Sequence, residues 1–293
     1  MAGQLKEVRN RIKSVQNTQQ ITKAMKMVSA AKLRRAQDAI IQMRPYARKL
    51  QEMLSNIVSS TGGDMNLNLA TERHIDKVLI ISITSDRGLA GAYNSNLIKL
   101  TKQVVDEKYR DQANKGNVTV WSIGKKGFEH FTKIKWKTEA AYKDIFLHLS
   151  FEQVQAAAQA AVKGFENGDF DVVEIVYSEF KNAATQRFAI ERFLPIPKVV
   201  PKKGVKKTDF IFEPAKDELI AELMPKILNT QLFKAVLDAN ASEHGARMTA
   251  MDKASENANE ILKELRISYN RARQAAITTE LTEIVSGAAA LQG

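Results

Sequence analysis

The sequence predicts an α/β fold in which the two chain ends form a long antiparallel two-helix coiled coil and an α/β domain is inserted between them. Two observations carry this. Apolar residues recur every three and four positions through both ends of the 293-residue chain, and the middle alternates buried-strand patterns with helical ones.

The first element runs from about Leu5 to about Ile57, without internal Gly and with Pro only at Pro45. At 1.5 Å per residue such a helix is ~80 Å long, far beyond a globular helix. Its outer parts carry a heptad, Leu5, Val8, Ile12 and Val15 at one end and Leu33, Ala36, Ile40, Met43, Ala47, Leu50, Leu54 and Ile57 at the other. Between them the same register holds Gln19, Thr22, Lys26 and Ser29, while the apolar stripe moves sideways to Ile21, Met25 and Val28. A coiled coil that straightens or changes partner shows such a shift. Pro45 removes a hydrogen bond and is expected to bend or loosen the helix.

The middle, about Ile75 to Ile196, supplies three buried strands, KVLIISIT (Lys77 to Thr84), NVTVWSIG (Asn117 to Gly124) and DVVEIVYSEF (Asp171 to Phe180). Helical stretches from Ala92 to Gln112 and from Phe151 to Phe165 separate them, which predicts a mostly parallel sheet. TQRFAIERFLPIP (Thr185 to Pro197) reads as an edge strand, and the Pro- and Lys-rich stretch from Pro195 to Asp209 as a loop or linker.

The last element, about Pro225 to Ala290, repeats the seam through Leu237, Ala241, His244, Met248, Met251, Ser255, Ala258, Leu262, Leu265, Tyr269, Ala272 and Ala276, with Gly245 as a weak point. Two seams at opposite chain ends can pack on each other, and the segment between them must leave and return at one end, so the helices are antiparallel. The expected domains are residues 1–60, 75–200 and 210–293.

Composition excludes several kinds of chemistry. With no Cys there is no disulfide framework, cysteine nucleophile or thiolate metal site, and a reducing compartment suits the chain. No apolar run approaches the roughly 20 residues of a bilayer span, and the opening MAGQLKEVRNR lacks the apolar core of a secretory signal. A net charge of +11 calls for an anionic partner, and the stretch from Ile21 to Ala36 holds cations with no acid among them.

Two glycine turns invite a nucleotide-binding reading. SDRGLAGAYNSN (Ser85 to Asn96) follows a strand and opens a helix, yet it supplies only Gly88 and Gly91 where a dinucleotide fingerprint needs a third. SIGKKGFE (Ser122 to Glu129) lacks the Gly-Lys-Ser/Thr of a phosphate loop. His74, His130, His148 and His244 are scattered without metal-ligand spacing, and no nucleophile-elbow pattern occurs. No catalytic residue, metal ligand or cofactor site is therefore expected.

VQNTQQITKAMKMVSAAKLRRAQ (Val15 to Gln37), TSDRGLAGAYNSNL (Thr84 to Leu97), SEHGARMTAMDKASENA (Ser242 to Ala258) and YNRARQAAITTELTEIVSGAAAL (Tyr269 to Leu291) together closely resemble the gamma subunits of bacterial F-type ATP synthases. The resemblance covers essentially the whole chain, with motifs at both termini in the right order. It implies a non-catalytic rotor shaft turning inside a hexamer of three alpha and three beta subunits, and a Rossmann-like domain outside the hexamer. The implied partners also include an epsilon subunit and the membrane c-ring, with the chain peripheral on the cytoplasmic face of the bacterial inner membrane.

Residue by residue, the resemblance places Met25 and Lys26 near an acidic lever of a beta subunit, and Arg247, Arg273, Gln274, Thr278 and Glu280 among the hexamer contacts. Phe210, Phe212 and Glu213 match the segment that meets the epsilon subunit and the ring, with Phe where Tyr is common in the family. Many members carry Cys where this chain has Ala90, and the cysteine-bearing insertion of plastid forms is absent, so redox control is not expected.

Two other classes stand against this one. A basic coiled-coil nucleic-acid binder accounts for charge and helices, but few aromatics accompany the basic runs. A nucleotide-dependent enzyme accounts for the α/β domain and not for the long helices.

Overall fold

The computed structural model describes residues 2–60, 68–183, 185–196 and 216–292. They fall into two compact units, residues 1–29 with 248–293, and residues 30–247.

The first unit is a pair of helical segments, the beginning of α1 (Ala2–Ser60) and the end of α6 (Lys216–Gln292). They run antiparallel in a one-to-one register. Arg9 donates to the Tyr269 hydroxyl, Thr22 meets Ser255, and Lys26 meets Asp252, so that a rise from 9 to 26 on one helix matches a fall from 269 to 252 on the other. Met251, Ala258 and Leu262 are buried in the seam, as their heptad spacing predicts.

The sideways shift at Ile21 and Val28 does not occur within this pair. Ile21 and Val28 are 59% and 58% exposed, whereas Thr22 and Ser29 are 8% and 3% exposed. The heptad register therefore continues unbroken through polar residues. The reason is local satisfaction: Thr22 Oγ1 and Ser255 Oγ lie 2.7 Å apart, and Ser255 Oγ donates to the Met251 carbonyl at 2.8 Å. Small hydroxyl side chains with partners can line a seam without the cost of an unpaired polar group. The apolar stripe is left facing outward.

The second unit is built on a five-stranded sheet in the order β3-β2-β1-β4-β5. Its strands are β1 (Val78–Ile83), β2 (Val118–Ile123), β3 (Lys137–Glu139), β4 (Val172–Phe180) and β5 (Gln186–Leu194). The first four pair in parallel, with Val78 opposite both Val118 and Val172, and β5 closes one edge antiparallel to β4. Every residue of β1 and β2 is buried, as expected of central strands covered on both faces.

Alternate residues of β1 point to two cores. Leu79, Ile81 and Ile83 share one with α5 (Phe151–Glu166), through Val154, Ala158 and Phe165. Val78 and Ile80 share the other with α2 (Tyr93–Lys108) and α4 (Lys125–Lys133), through Leu97, Val104 and Phe131. The lower part of α6 belongs to this unit, and it is more than half of a coiled coil. Leu228, Leu232, Ala235, Val236 and Ala239 pack into the first core, while on α1 Leu33, Ala36, Ile40 and Leu50 are also buried.

Three local features depart from the sequence reading. The helix expected from Ala92 to Gln112 breaks at Tyr109, a residue buried in the second core whose φ of −131° and ψ of 28° are not helical, and resumes as α3 (Arg110–Asn114). α4 and β3 were not expected, being a nine-residue helix containing Gly127 and a three-residue edge strand, both too short to show a period. α1 continues as helix through Pro45, as read in the sequence, whereas α6 begins at Lys216 and not at about Pro225, which lies inside it.

Candidate functional sites

In an open α/β sheet, ligands bind beyond the carboxyl ends of the strands where the strand order reverses, which here is beside β1, between β2 and β4. This chain fills that crevice with itself. Arg247 of α6 is only 8% exposed. Its Nη1 donates to Glu243 Oε1 at 2.5 Å, and its Nη2 to the carbonyls of Arg87 and Gly88 at 3.0 and 3.3 Å, in the loop that follows β1. Gly245, the weak point of the helix, is where the backbone comes closest: a Cβ there would stand 3.1 Å from the Ala183 carbonyl oxygen. Tyr93 at the start of α2 donates to the Ala239 carbonyl at 2.9 Å and ties the same surfaces together.

The second glycine turn is closed as well. A phosphate cradle needs free amides at a helix start. The first amides of α4 are already used: Lys125 N–H donates to Asp86 Oδ1, Lys126 N–H to the Ser85 carbonyl and Gly127 N–H to Thr84 Oγ1. Gly124, at φ +105°, and Gly127 are needed because a Cβ would stand 2.4 and 2.8 Å from Thr84 atoms. These glycines serve the packing of one loop on another.

Electrostatics fit a structural crevice. Burial raises the Glu243 carboxyl against the pull of Arg247, and burial with the Arg247 and Lys32 cations pushes His244 down to about 4, so that imidazole is neutral near pH 7. Among the described residues no group of three or more His, Cys, Asp or Glu could hold a metal. A groove of about 580 Å³ lies between α2 and α4, lined by Ser95, Ile98, Lys99, Lys102, Asp106 and His130 among others, and none of the residues expected to meet partners lines it. No described helix is long and apolar enough to cross a membrane.

The residues expected to meet partners lie in both units. Met25 and Lys26 are partly exposed, and Lys26 forms a 2.5 Å ion pair with Asp252 on the facing helix. Arg273, Gln274, Thr278 and Glu280 are all exposed, while Ala272 and Ala276 are turned partly inward. Thr278 Oγ1 donates to the Gln274 carbonyl one turn back, at 3.0 Å, so this hydroxyl is satisfied within its own helix. Arg247 is separate from these, buried in the crevice of the second unit. Phe210, Phe212 and Glu213 lie outside the described residues.

One surface was not singled out in the sequence. Ile277, Leu281, Ile284 and Val285 are 48–67% exposed, spaced four, three and one apart on one face of the end of α6. The register places Ala276 opposite Ala2, and no described residue of α1 stands opposite the positions beyond it. A contiguous uncovered apolar stripe marks an interaction surface. Its helical spacing was legible, but nothing local shows that the partner helix stops short of it.

A family model described as ATP synthase matches residues 4–291. The ATP synthase gamma chain of Cytophaga hutchinsonii is 51% identical over 290 residues, covering 98% of each chain. That of Flavobacterium johnsoniae is 50% identical over 289 residues, covering 99% of each. Among solved structures, the rotor of the Euglena gracilis mitochondrial ATP synthase is similar in fold, with a TM-score of 0.66 at 20% identity over 94% of this chain and 100% of that one. The central stalk and c-ring structure from Tetrahymena thermophila contains a chain similar in fold at a TM-score of 0.56 and 22% identity, over 80% of this chain and 99% of that one.

Proposed function

The chain belongs to the ATP synthase gamma chain family, and from that membership we propose that it is the central-stalk rotor of an F-type ATP synthase, turned by proton flow through a membrane c-ring inside a hexamer of three alpha and three beta subunits. The observation that carries this reading is the apolar stripe Ile277, Leu281, Ile284 and Val285 on an unpaired helix end. Enclosure by other subunits would cover it, and the uncharged, Ala-rich tail beyond favours turning over sticking. The chain performs no chemistry of its own in this reading, consistent with a sheet crevice filled by α6.

Met25, Lys26, Arg273, Gln274, Thr278 and Glu280 are proposed hexamer contacts, with Phe210, Phe212 and Glu213 facing an epsilon subunit and the c-ring on the cytoplasmic face of the bacterial inner membrane. Rotation presents an asymmetric pair of helices to each beta subunit in turn. A contact stronger in one orientation than another biases that catalytic site toward an open or closed state by its differential free energy. A charge-assisted hydrogen bond from Arg273 contributes on the order of 1.5 to 3 kcal/mol. The nucleic-acid reading is not favoured, since family membership accounts for the charge without it.

The test is the Arg273→Ala, Gln274→Ala chain reassembled with alpha and beta subunits. Both side chains are exposed, so stability should stay within about 0.5 kcal/mol of wild type. ATP turnover and ATP-driven proton pumping should fall at equal assembly; unchanged values would remove these residues from the torque-bearing contact. Failure of the wild-type chain to copurify with alpha and beta subunits would defeat the rotor reading itself.

A further inference from the structure

We propose that the groove between α2 and α4 is a binding site for a small organic phosphate, whose phosphate group is held by Lys99, Lys102 and the buried Nε2 of His130. Ser95, Ile98, Lys99, Lys102 and Asp106 recur three and four residues apart, so they share one face of α2, and that face lines the groove together with His130 of α4. Lys99 and Lys102 are neighbours on it. Like charges so placed repel unless an acid separates them. None does: Lys99, Lys102 and, on α4, Lys133 make no ion pair among the described residues, whereas nearby Lys126 is paired with Glu129 at 2.7 Å. Three ammonium groups are left for an anion from outside the chain.

His130 is the second, independent observation. Its Nε2 is buried and no protein group hydrogen-bonds it, while the ring packs edge-on against Phe131 with centroids 5.6 Å apart. Buried polar atoms are nearly always paired, so an unpaired one in the wall of a basic groove points to a ligand. The charged groups around the imidazole are Lys99, Lys102, Asp106 and Glu107 of α2 and Glu129 and Lys133 of its own helix. Burial first, then the Lys102 and Lys133 cations, lower its pKa from 6.5, so the ring is neutral near pH 7 and can donate one hydrogen. Two lysines and such a donor suit the three oxygens and near-double charge of a phosphate. Asp106 and Glu107 continue the same face, where they repel a ligand anionic throughout and accept from hydroxyl or amino groups. A volume of about 580 Å³ is that of a small-molecule site and exceeds what one phosphate fills. Together these select an organic phosphate.

None of the residues proposed to meet other subunits lines this groove, so the site stands or falls apart from the rotor reading. Equilibrium dialysis of the full chain against labelled adenosine monophosphate and, separately, inorganic phosphate tests it. The nucleotide should bind saturably, and about tenfold more tightly than inorganic phosphate, because its hydroxyl and amino groups reach Asp106 and Glu107. Lys102→Gln and His130→Gln should each weaken it about fivefold to tenfold. Saturating nucleotide should also raise the apparent pKa of His130, read from its imidazole NMR signals, since a neighbouring dianion favours the imidazolium. Equal affinity for the two probes would overturn the organic occupant. Binding untouched by either substitution would place the anion elsewhere on this basic chain and overturn the site, as would no saturable binding of either probe. Lys102 is exposed, so its variant keeps the test open if His130→Gln fails to fold.

Discussion

In the second unit every residue of β1 is buried, whereas in the first unit the paired helices bury only every third or fourth residue and leave the rest in water. A sheet covered on both faces gains stability from nearly all of its side chains. Two helices alone gain it from one narrow seam, part of which is the hydroxyl pair Thr22 and Ser255. The unit with the larger core is the scaffold, and the unit with little core is mostly surface.

The sharpest way to break the comparison is to remove one large side chain from each unit. Phe165 is fully buried, and Phe165→Ala should cost about 3 to 5 kcal/mol. Leu262→Ala removes a buried seam residue and should cost about 2 to 3 kcal/mol, with an added Leu265→Ala costing less because Leu265 is half-buried. Denaturant unfolding followed by amide exchange in each unit would show it. Equal costs in the two units, or no change in the Leu262 and Leu265 variant, would remove the difference in burial on which the contrast stands.

A second test asks whether burial in the α/β unit is deep enough to distort a titration. Burial raises the Asp238 carboxyl to about 6, outweighing the Lys234 and Arg44 cations and helped by Glu179 and Glu191. Because the folded value lies above the unfolded one of 3.8, the native state holds this proton more tightly. Stability should therefore fall as pH rises through that window, by up to about 3 kcal/mol, and the loss should be complete above pH 6. Asp238→Asn should lack this fall. Parallel stability curves for wild type and variant between pH 4 and 7 would show that Asp238 is better solvated than its surroundings indicate.

The smallest expected effect sharpens the contrast from the glycines. Gly287 has nothing within 4 Å of a built Cβ and lies in the exposed end of α6, so Gly287→Ala should raise local helix stability by up to about 1 kcal/mol. Gly124→Ala, the same change against the Thr84 backbone, should destabilise. Amide exchange in the last turns of α6 and the unfolding midpoint of Gly124→Ala give the two signs, and a shared sign would contradict the close packing of the α/β loops.

Much of this was legible in the sequence, because periodicity is a local property. Heptads at both ends gave the antiparallel pair, and VLIISI and VVEIVYSEF gave central strands, since each pattern repeats within a few turns or pleats. The membership of the family was legible too, in motifs that span both termini. What only the tertiary structure decided rests on residues far apart in the chain. The polar register at Thr22 is tolerated because Ser255 faces it, and the part of α6 from Leu228 to Ala239 is a core helix because the sheet lies against it. Arg247 turns inward because the carbonyls of Arg87 and Gly88 meet it there. A buried polar group takes its meaning from its partner, and no pattern within a helix names a partner some 160 residues away.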